Sequence, residues 1–256
     1  MRKGIWTTTL LALSMLCLGG CGKELTAEEV LTKANEKQKT VTSMDADATM
    51  DMSMEIAGQS IEYDADLNIK ANNLNSADLV MAMDMNMSIL GEEMVMQGYY
   101  QDGYYYVDGM GEKVKMEMDI TEAQEMMSQN SAFSEIPMEA YKSLEMTEEN
   151  GMRVLTYVAD GSMLTELVDS LTGGMMGNTL GDLEDMDMTL GDVSGQLTVD
   201  DDFNIVAQTM KMDMSVNIEG MEMSASVDMD MTINNPGEEV VIETPTDLDA
   251  YEEVEE

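Results

Sequence analysis

Residues 79–90 read LVMAMDMNMSIL, with Met81, Met83, Met85 and Met87 separated by small or polar residues. Successive side chains of an extended chain point to opposite faces, so apolar residues at every second position line one side. The stretch reads as a half-buried antiparallel strand. The same spelling recurs in TMDMSMEI (49–56), VKMEMDI (114–120), TMKMDMSV (209–216) and SVDMDMTI (226–233). A fold built around this stretch is a sheet with one methionine-rich face.

Working outward, glycines mark the strand ends. Ile-x-Gly closes the pattern at Ile56-Ala57-Gly58, Ile89-Leu90-Gly91 and Ile218-Glu219-Gly220. Glycine at the first central position of a two-residue loop suits a type II′ turn. That turn would pair Ile56 with Ile61, Met54 with Tyr63, Met52 with Ala65 and Met50 with Leu67. By the same rule Ile89 meets Met94, Met87 meets Met96, Met85 meets Gly98 and Met83 meets Tyr100. In the last hairpin Ile218 meets Met223, Met214 meets Val227, Met212 meets Met229 and Met210 meets Met231. Asp102-Gly103 suits a type I′ turn between GYYQ and YYYVD, placing Tyr100 and Tyr105 on the apolar face and Tyr99 and Tyr106 on the other. Further strands are expected at 113–119, 143–149, 152–159, 186–199, 204–219 and 221–233, with turns at Asn150-Gly151 and Asp200-Asp201-Asp202.

Helical spacing replaces the two-residue period in a few places. Thr26-Ala27-Glu28-Glu29 is a capping box, and Val30, Leu31 and Ala34 follow on one face, which predicts a helix over about 27–40. Thr121-Glu122-Ala123-Gln124 is read as a second box, and 162–172 as a third helix. The expected class is α+β: a strongly curved antiparallel sheet, a half-barrel of about ten strands, wrapped around helices.

The N-terminus is a separate object. Arg2 and Lys3 precede the apolar run Leu10–Leu18, which is too short to span a bilayer, and Leu18-Gly19-Gly20-Cys21 follows. The order is that of a signal peptide, and the last four residues resemble the bacterial lipobox, which implies lipidation of Cys21. Cys17 would leave with the leader, so no free thiol is expected afterwards for a disulfide, nucleophile or thiolate metal site. The organisation that follows is a signal peptide over 1–20, lipidated cysteine and tether over 21–25, one half-barrel domain over 26–245 and an acidic tail over 246–256. Disorder is expected only in the terminal EEVEE. Two acyl chains would anchor the protein stably on the outer face of a membrane.

Composition narrows the function. The 256 residues carry 12 basic against 52 acidic side chains, a net charge of −40, so nucleic acid is excluded as a partner. Broad contact with anionic headgroups is disfavoured on the same ground. High acidity with few aromatics can mark disorder, yet 44% of the residues are hydrophobic and most follow a period. The chain has no histidine and shows no nucleophile–base pair, HExxH or phosphate loop, so it is not read as an enzyme. Asp45-x-Asp47-x-Thr49-x-Asp51 starts like an EF-hand loop but has Met50 where glycine is required and Ile56 where glutamate is required. The outer face would set Asp51 against Asp66, Glu55 against Glu62 and Asp213 against Asp228. Such pairs protect edges and solubility, or form a diffuse Ca²⁺ or Mg²⁺ surface.

The 32 methionines admit three readings. As plain core, each buried side chain would contribute roughly 1.5–3 kcal/mol. As a cavity lining, their flexible thioethers would accommodate variable apolar ligands. As a copper(I) site, Met210, Met212, Met229 and Met231 would have to converge from neighbouring strands. Alternate residues of one strand stand about 7 Å apart, and the signal runs along whole strands, so no dedicated metal site or cofactor is assigned.

The lipobox, the helix TAEEVLTKANEKQKTVTSM (26–44) and the long hairpins resemble the superfamily of LolA/LolB-like and LppX/LprG-like lipoprotein carriers. GYYYVDGMGEKVKMEMD (103–119), the Met-x-Met strands and NNPGEEVVIETPTD (234–247) are similar to uncharacterised Gram-positive lipoproteins. The resemblance implies helices forming a lid, over 121–140 or 162–172, above a hydrophobic cavity that carries lipid. The expected lining is Met50, Met52 and Met54; Met81, Met83, Met85 and Met87; Met94, Met96, Tyr100 and Tyr105; Met116 and Met118; and Met210, Met212, Met214, Met229 and Met231. The alternative is a structural or interaction module with a solid core, an acidic face and a protein partner unknown.

Overall fold

Thr26 opens the first helix as expected. In the computed structural model, which describes residues 25–56, 58–130, 136–164, 187–218 and 221–254, its hydroxyl accepts from Glu29 N at 3.2 Å while the Glu29 carboxylate accepts from Thr26 N at 2.9 Å. Helix α1 spans Ala27–Gln38 and buries Val30, Leu31 and Ala34. Helix α2 spans Ile120–Asn130, but its box lies two residues before the expected one. Asp119 Oδ1 accepts from Thr121 N and Glu122 N, and Glu122 accepts from Asp119 N at 2.7 Å. Aspartate caps as well as threonine, and these amide donors hold the Asp119 carboxyl below the ordinary range. Of the third expected helix, 162–172, Ser162 and Met163 lie in a 3₁₀ turn, Gly161–Met163, and Leu164 follows it; 165–172, like 21–24, lie outside the described residues.

The strands are β1 Ser43–Ile56, β2 Gln59–Asn72, β3 Val80–Ile89, β4 Glu92–Gln101, β5 Tyr104–Gly109, β6 Glu112–Glu117, β7 Tyr141–Glu149, β8 Met152–Ala159, β9 Asp187–Leu190, β10 Val193–Val199, β11 Ile205–Ile218, β12 Met221–Asn234 and β13 Glu252–Glu253. They form one curved, unclosed sheet in the order β13-β6-β5-β4-β3-β2-β1-β12-β11-β10-β8-β7, with β9 paired to β11. Every pairing is antiparallel except that of β13 with β6.

Two expectations need correction. The segment 186–199 is two strands, because the register on β11 shifts by one between Thr189–Ser215 and Ser194–Lys211. Gly191 fills the break and donates to Asp213 O at 2.8 Å, a bulge that bends the sheet. The hairpin registers also differ by two residues. Ile56 faces Gln59, Met54 faces Ile61, Met87 faces Met94, Met85 faces Met96 and Met83 faces Gly98. Met210 faces Met229, Met212 faces Val227 and Met214 faces Ala225. The cause is the turn: Leu90 and Gly91 have φ of 53° and 82°, so glycine sits second, in a type I′ turn. A shift of two leaves every side chain on its own face, so the apolar face stands while its partners change.

The outer face changes with the register. Asp51 lies opposite Asp64 and Asp228, Glu55 opposite Ser60 and Ser224, and Asp213 opposite Ser226. Lys211 forms an ion pair with Asp228. Asp47 accepts from Asn68 and Asn234, both at 2.8 Å, and these donors lower its pKa.

The C-terminal segment crosses this face as a strap. Asn72 exchanges hydrogen bonds with Val240 at 2.6 and 3.0 Å. Tyr99 meets Thr244 at 3.1 Å. Lys113 pairs with Asp247 at 2.6 Å and Asp108 at 3.0 Å. Tyr251 is buried with its ring edge-on to Tyr106 at 5.4 Å, and Glu252–Glu253 covers the β6 edge. The first residues of EEVEE are therefore ordered, contrary to the expectation of disorder, and an otherwise unpaired edge is protected.

The type I′ turns sort by end. Asp102-Gly103 and Asn150-Gly151 carry polar residues at the position of positive φ, whereas the tips of β3–β4 and β5–β6, at the other end, carry Leu90 and Met110, each with φ of 53°. Leu90 is 74% exposed and Met110 86%. A left-handed conformation costs such residues about 1 kcal/mol or more. Leu90→Asn is therefore expected to raise the unfolding free energy by about 1 kcal/mol in urea titration. A loss of stability would show that Leu90 has a packing role in the fold that its exposure denies.

Candidate functional site: a methionine face beyond two packed cores

Alternation along each strand puts one apolar stripe on the concave side, and cross-strand register turns these stripes into rows. One row runs Met94–Met87–Ala65–Met50–Met229–Met210 and the next Met96–Met85–Leu67–Ala48–Met231. At a strand spacing of about 4.8 Å, a row over five strands spans about 20 Å.

Each helix covers part of this face. Helix α1 joins Ala46, Leu155, Tyr157, Leu197, Met210 and Ile233 in one cluster, with Met212, Met229 and Met231 packed against it. Helix α2 joins Ile69, Met81, Tyr100, Tyr105, Ala123 and Met127 in the other, with Met83, Met116 and Met118 against it. These expected lining residues thus lie in packed interior. Met81 and Met210 are each 1% exposed.

Met50, Met52, Met54, Met85, Met87, Met94, Met96 and Met214 stand outside both clusters, half-buried. They lie over β1, β3, β4 and β11, toward the end that carries the Leu90 and Met110 tips. Ile61, Tyr63 and Ile89 are half-buried on the neighbouring rows, facing Met54, Met52 and Tyr63, and the expected lining does not include them. The period-two pattern of GQSIEYDADLNI contained the signal. The four methionines offered for copper are not brought to one point: Met210 faces Met229, but Met212 faces Val227 and Met231 faces Gln208.

Two glycines let tyrosine rings lie flat across the sheet. A Cβ on Gly98 would stand 2.4 Å from Tyr105 Oη, and one on Gly195 would stand 2.7 Å from Tyr157 Oη. Tyr100 and Tyr105 therefore share the concave face as expected, but as packed core rather than cavity lining. Burial raises the pKa of Tyr105 and, with a smaller contribution from Asp119, that of Tyr100. Burial pushes Tyr157 up to about 12. The phenols of Tyr100, Tyr105 and Tyr157 are neutral at physiological pH, and the acidic side chains of the alternating strand positions lie on the opposite face. The concave side can exclude water and make dispersion contacts.

A curved, open sheet with a helix packed at two places and a methionine face beyond them defines a half-barrel with an apolar concave surface. The chain belongs to a family of unknown function, DUF6612, whose model matches residues 26–250. No curated protein sequence matches it. Among solved structures it is similar to LprF from Mycobacterium bovis, at 13% identity over 86% of this chain and 96% of that one, with a TM-score of 0.47. It is also similar to the lipoprotein LppX from Mycobacterium tuberculosis, at 10% identity over 85% and 98% of the two chains, with a TM-score of 0.44. A third is a DUF1329 family protein from Desulfovibrio piger, at 10% identity over 85% and 95%, with a TM-score of 0.26. No helix among the described residues is long and apolar enough to cross a membrane.

Proposed function

We propose that this protein is an extracytoplasmic lipoprotein, anchored through Cys21 to the outer face of a membrane, whose methionine face binds an apolar ligand, a lipid acyl chain. It is a binding protein and not an enzyme. The observation that carries the reading is the continuation of the apolar rows past both helix-packed clusters, as half-buried methionines over which, among the described residues, no cluster packs. Each methylene transferred from water to this face contributes about 0.8 kcal/mol, so the open part of the first row, Met94–Met87–Ala65–Met50 over four strands and about 14 Å, holds a length of extended chain without any polar contact. Methionine side chains adjust to ligands of differing shape. Exposed Leu90 and Met110 border the face and offer single apolar side chains to a lipid surface, which supports exchange of the ligand there.

Native mass spectrometry of residues 22–256, which contain every described element, tests this directly. Purified without detergent, the protein is expected to carry an adduct of lipid mass that organic solvent extracts. A chain that stays bare after incubation with phosphatidylcholine vesicles would overturn the reading and favour an interaction module with a solid core.

A further inference from the structure

Methionine is an unfavourable choice for these rows. It lacks the β-branch and the rigidity that favour strands and defined packing, and leucine or valine would supply the same burial. What methionine alone supplies is a sulfur that a two-electron oxidant turns into a polar sulfoxide, reversibly. The two cysteines of the chain, Cys17 and Cys21, both lie in or beside the leader, so the folded domain has no thiol to compete for that chemistry.

The structure sorts the sulfurs by access. Met110 is 86% exposed on a turn, Met50, Met85, Met87, Met94 and Met96 of the rows are half-buried, and Met81 and Met210 are 1% exposed. The intermediate set is concentrated on one face: Met87 faces Met94 and Met85 faces Met96, with Met50 on the row of the first pair. A single oxidation at Met50, Met85, Met87, Met94 or Met96 changes this face and spares the two cores, because these side chains lie outside the helix-packed clusters and their oxygens can reach water.

We propose that these half-buried methionines are an oxidation site that closes the apolar face to its ligand, and that peroxide-class oxidants are its substrate. The inference rests on the binding reading above. In the step, a thioether lone pair attacks one peroxide oxygen, the S–O bond forms and the O–O bond breaks. Sulfur loses two electrons, and the second oxygen leaves as water after taking up a proton. A dithiol-dependent sulfoxide reductase reverses it: the sulfoxide oxygen leaves as water and the dithiol becomes a disulfide. Each sulfoxide places a strong hydrogen-bond acceptor on the row, and covering it with an acyl chain forfeits its hydration.

The test titrates residues 22–256 with hydrogen peroxide. Sulfoxide at each methionine is quantified by peptide mass mapping, uptake of the apolar fluorophore N-phenylnaphthylamine is followed in the same samples, and circular dichroism monitors the fold. The expected order is Met110, then Met50, Met85, Met87, Met94 and Met96, with Met81 and Met210 protected while the fold persists. Affinity for the fluorophore should fall about tenfold or more as the rows oxidise, and return on treatment with methionine sulfoxide reductase. In a variant carrying M50L, M52L, M85L, M87L, M94L and M96L, a volume-conserving set, the fluorophore affinity measured before peroxide, whatever its value, should be the same after peroxide. Oxidation that ignores the rows, or a leucine variant that loses the fluorophore as the wild type does, overturns the switch alone. A wild type that never takes up the fluorophore overturns the binding reading, and the switch with it.

Discussion

Gly161→Ala should lower the unfolding free energy by about 3 kcal/mol, the upper range for overpacking a buried site. Gly161 is buried and opens the 3₁₀ turn after β8. A methyl group there would stand 1.9 Å from Gly191 O, 2.6 Å from Leu190 O and 2.8 Å from Gly191 C. All three atoms are backbone, so no side-chain rotation relieves the clash. Gly191 in turn is fixed by its hydrogen bond to Asp213 O, so the bulge between β9 and β10 would have to move with it. Gly151→Ala is the control. Its Cβ meets nothing within 4 Å, but φ is +81°, so the expected cost is only the left-handed penalty of about 1 kcal/mol. Urea denaturation of the two variants should separate them clearly. Equal stability of Gly161→Ala and wild type would mean that the turn and the bulge do not pack as described.

The contrast shows what the sequence could and could not disclose. Strict alternation around Met81–Met87 was enough to assign strands and faces, because a period of two has one structural meaning when it persists over ten residues. Register was less legible. It depended on which turn position each glycine occupied, and Leu90-Gly91 places a leucine where asparagine or aspartate is usual. The residue therefore pointed away from the turn that formed. The break at Gly191 was hidden for a related reason: a bulge costs one residue of register and little change in composition. The same holds for the strap. Glu252 and Glu253 read as a charged tail, and what docks them is Tyr251 against Tyr106 and Lys113 against Asp247, contacts between segments distant in sequence.

The site was legible as a face and not as a boundary. Met210 and Met214 lie on one strand with the same parity, each between polar residues, yet Met210 is 1% exposed in the α1 cluster while Met214 stands outside it. Where a helix lands on the sheet is decided by Val30, Leu31 and Ala34 meeting residues far along the chain, and no local pattern encodes it.

That boundary sets the largest functional prediction. The triple variant Met52→Gln, Met85→Gln, Met94→Gln is expected to bind an apolar ligand about a hundredfold more weakly, since each change removes roughly 1 kcal/mol of apolar contact from the complex. Its fold should hold, because the three side chains are half-buried and outside both clusters. Met210→Gln makes the same chemical change in the core. There the amide is buried without room for hydration, and the expected cost is about 3 kcal/mol of stability. Fluorophore titration and urea denaturation, run on both proteins, ask whether position or residue type governs the effect. A triple variant that binds as tightly as wild type would remove the methionine rows from the ligand site. Glutamine also approximates the size and polarity of methionine sulfoxide, so the triple variant should resemble the peroxide-treated protein in affinity. Unlike that protein, it should not respond to sulfoxide reductase. If the two agree in affinity and differ in reversal, the oxygen placed on the rows is the cause of ligand loss, and general damage by the oxidant is not.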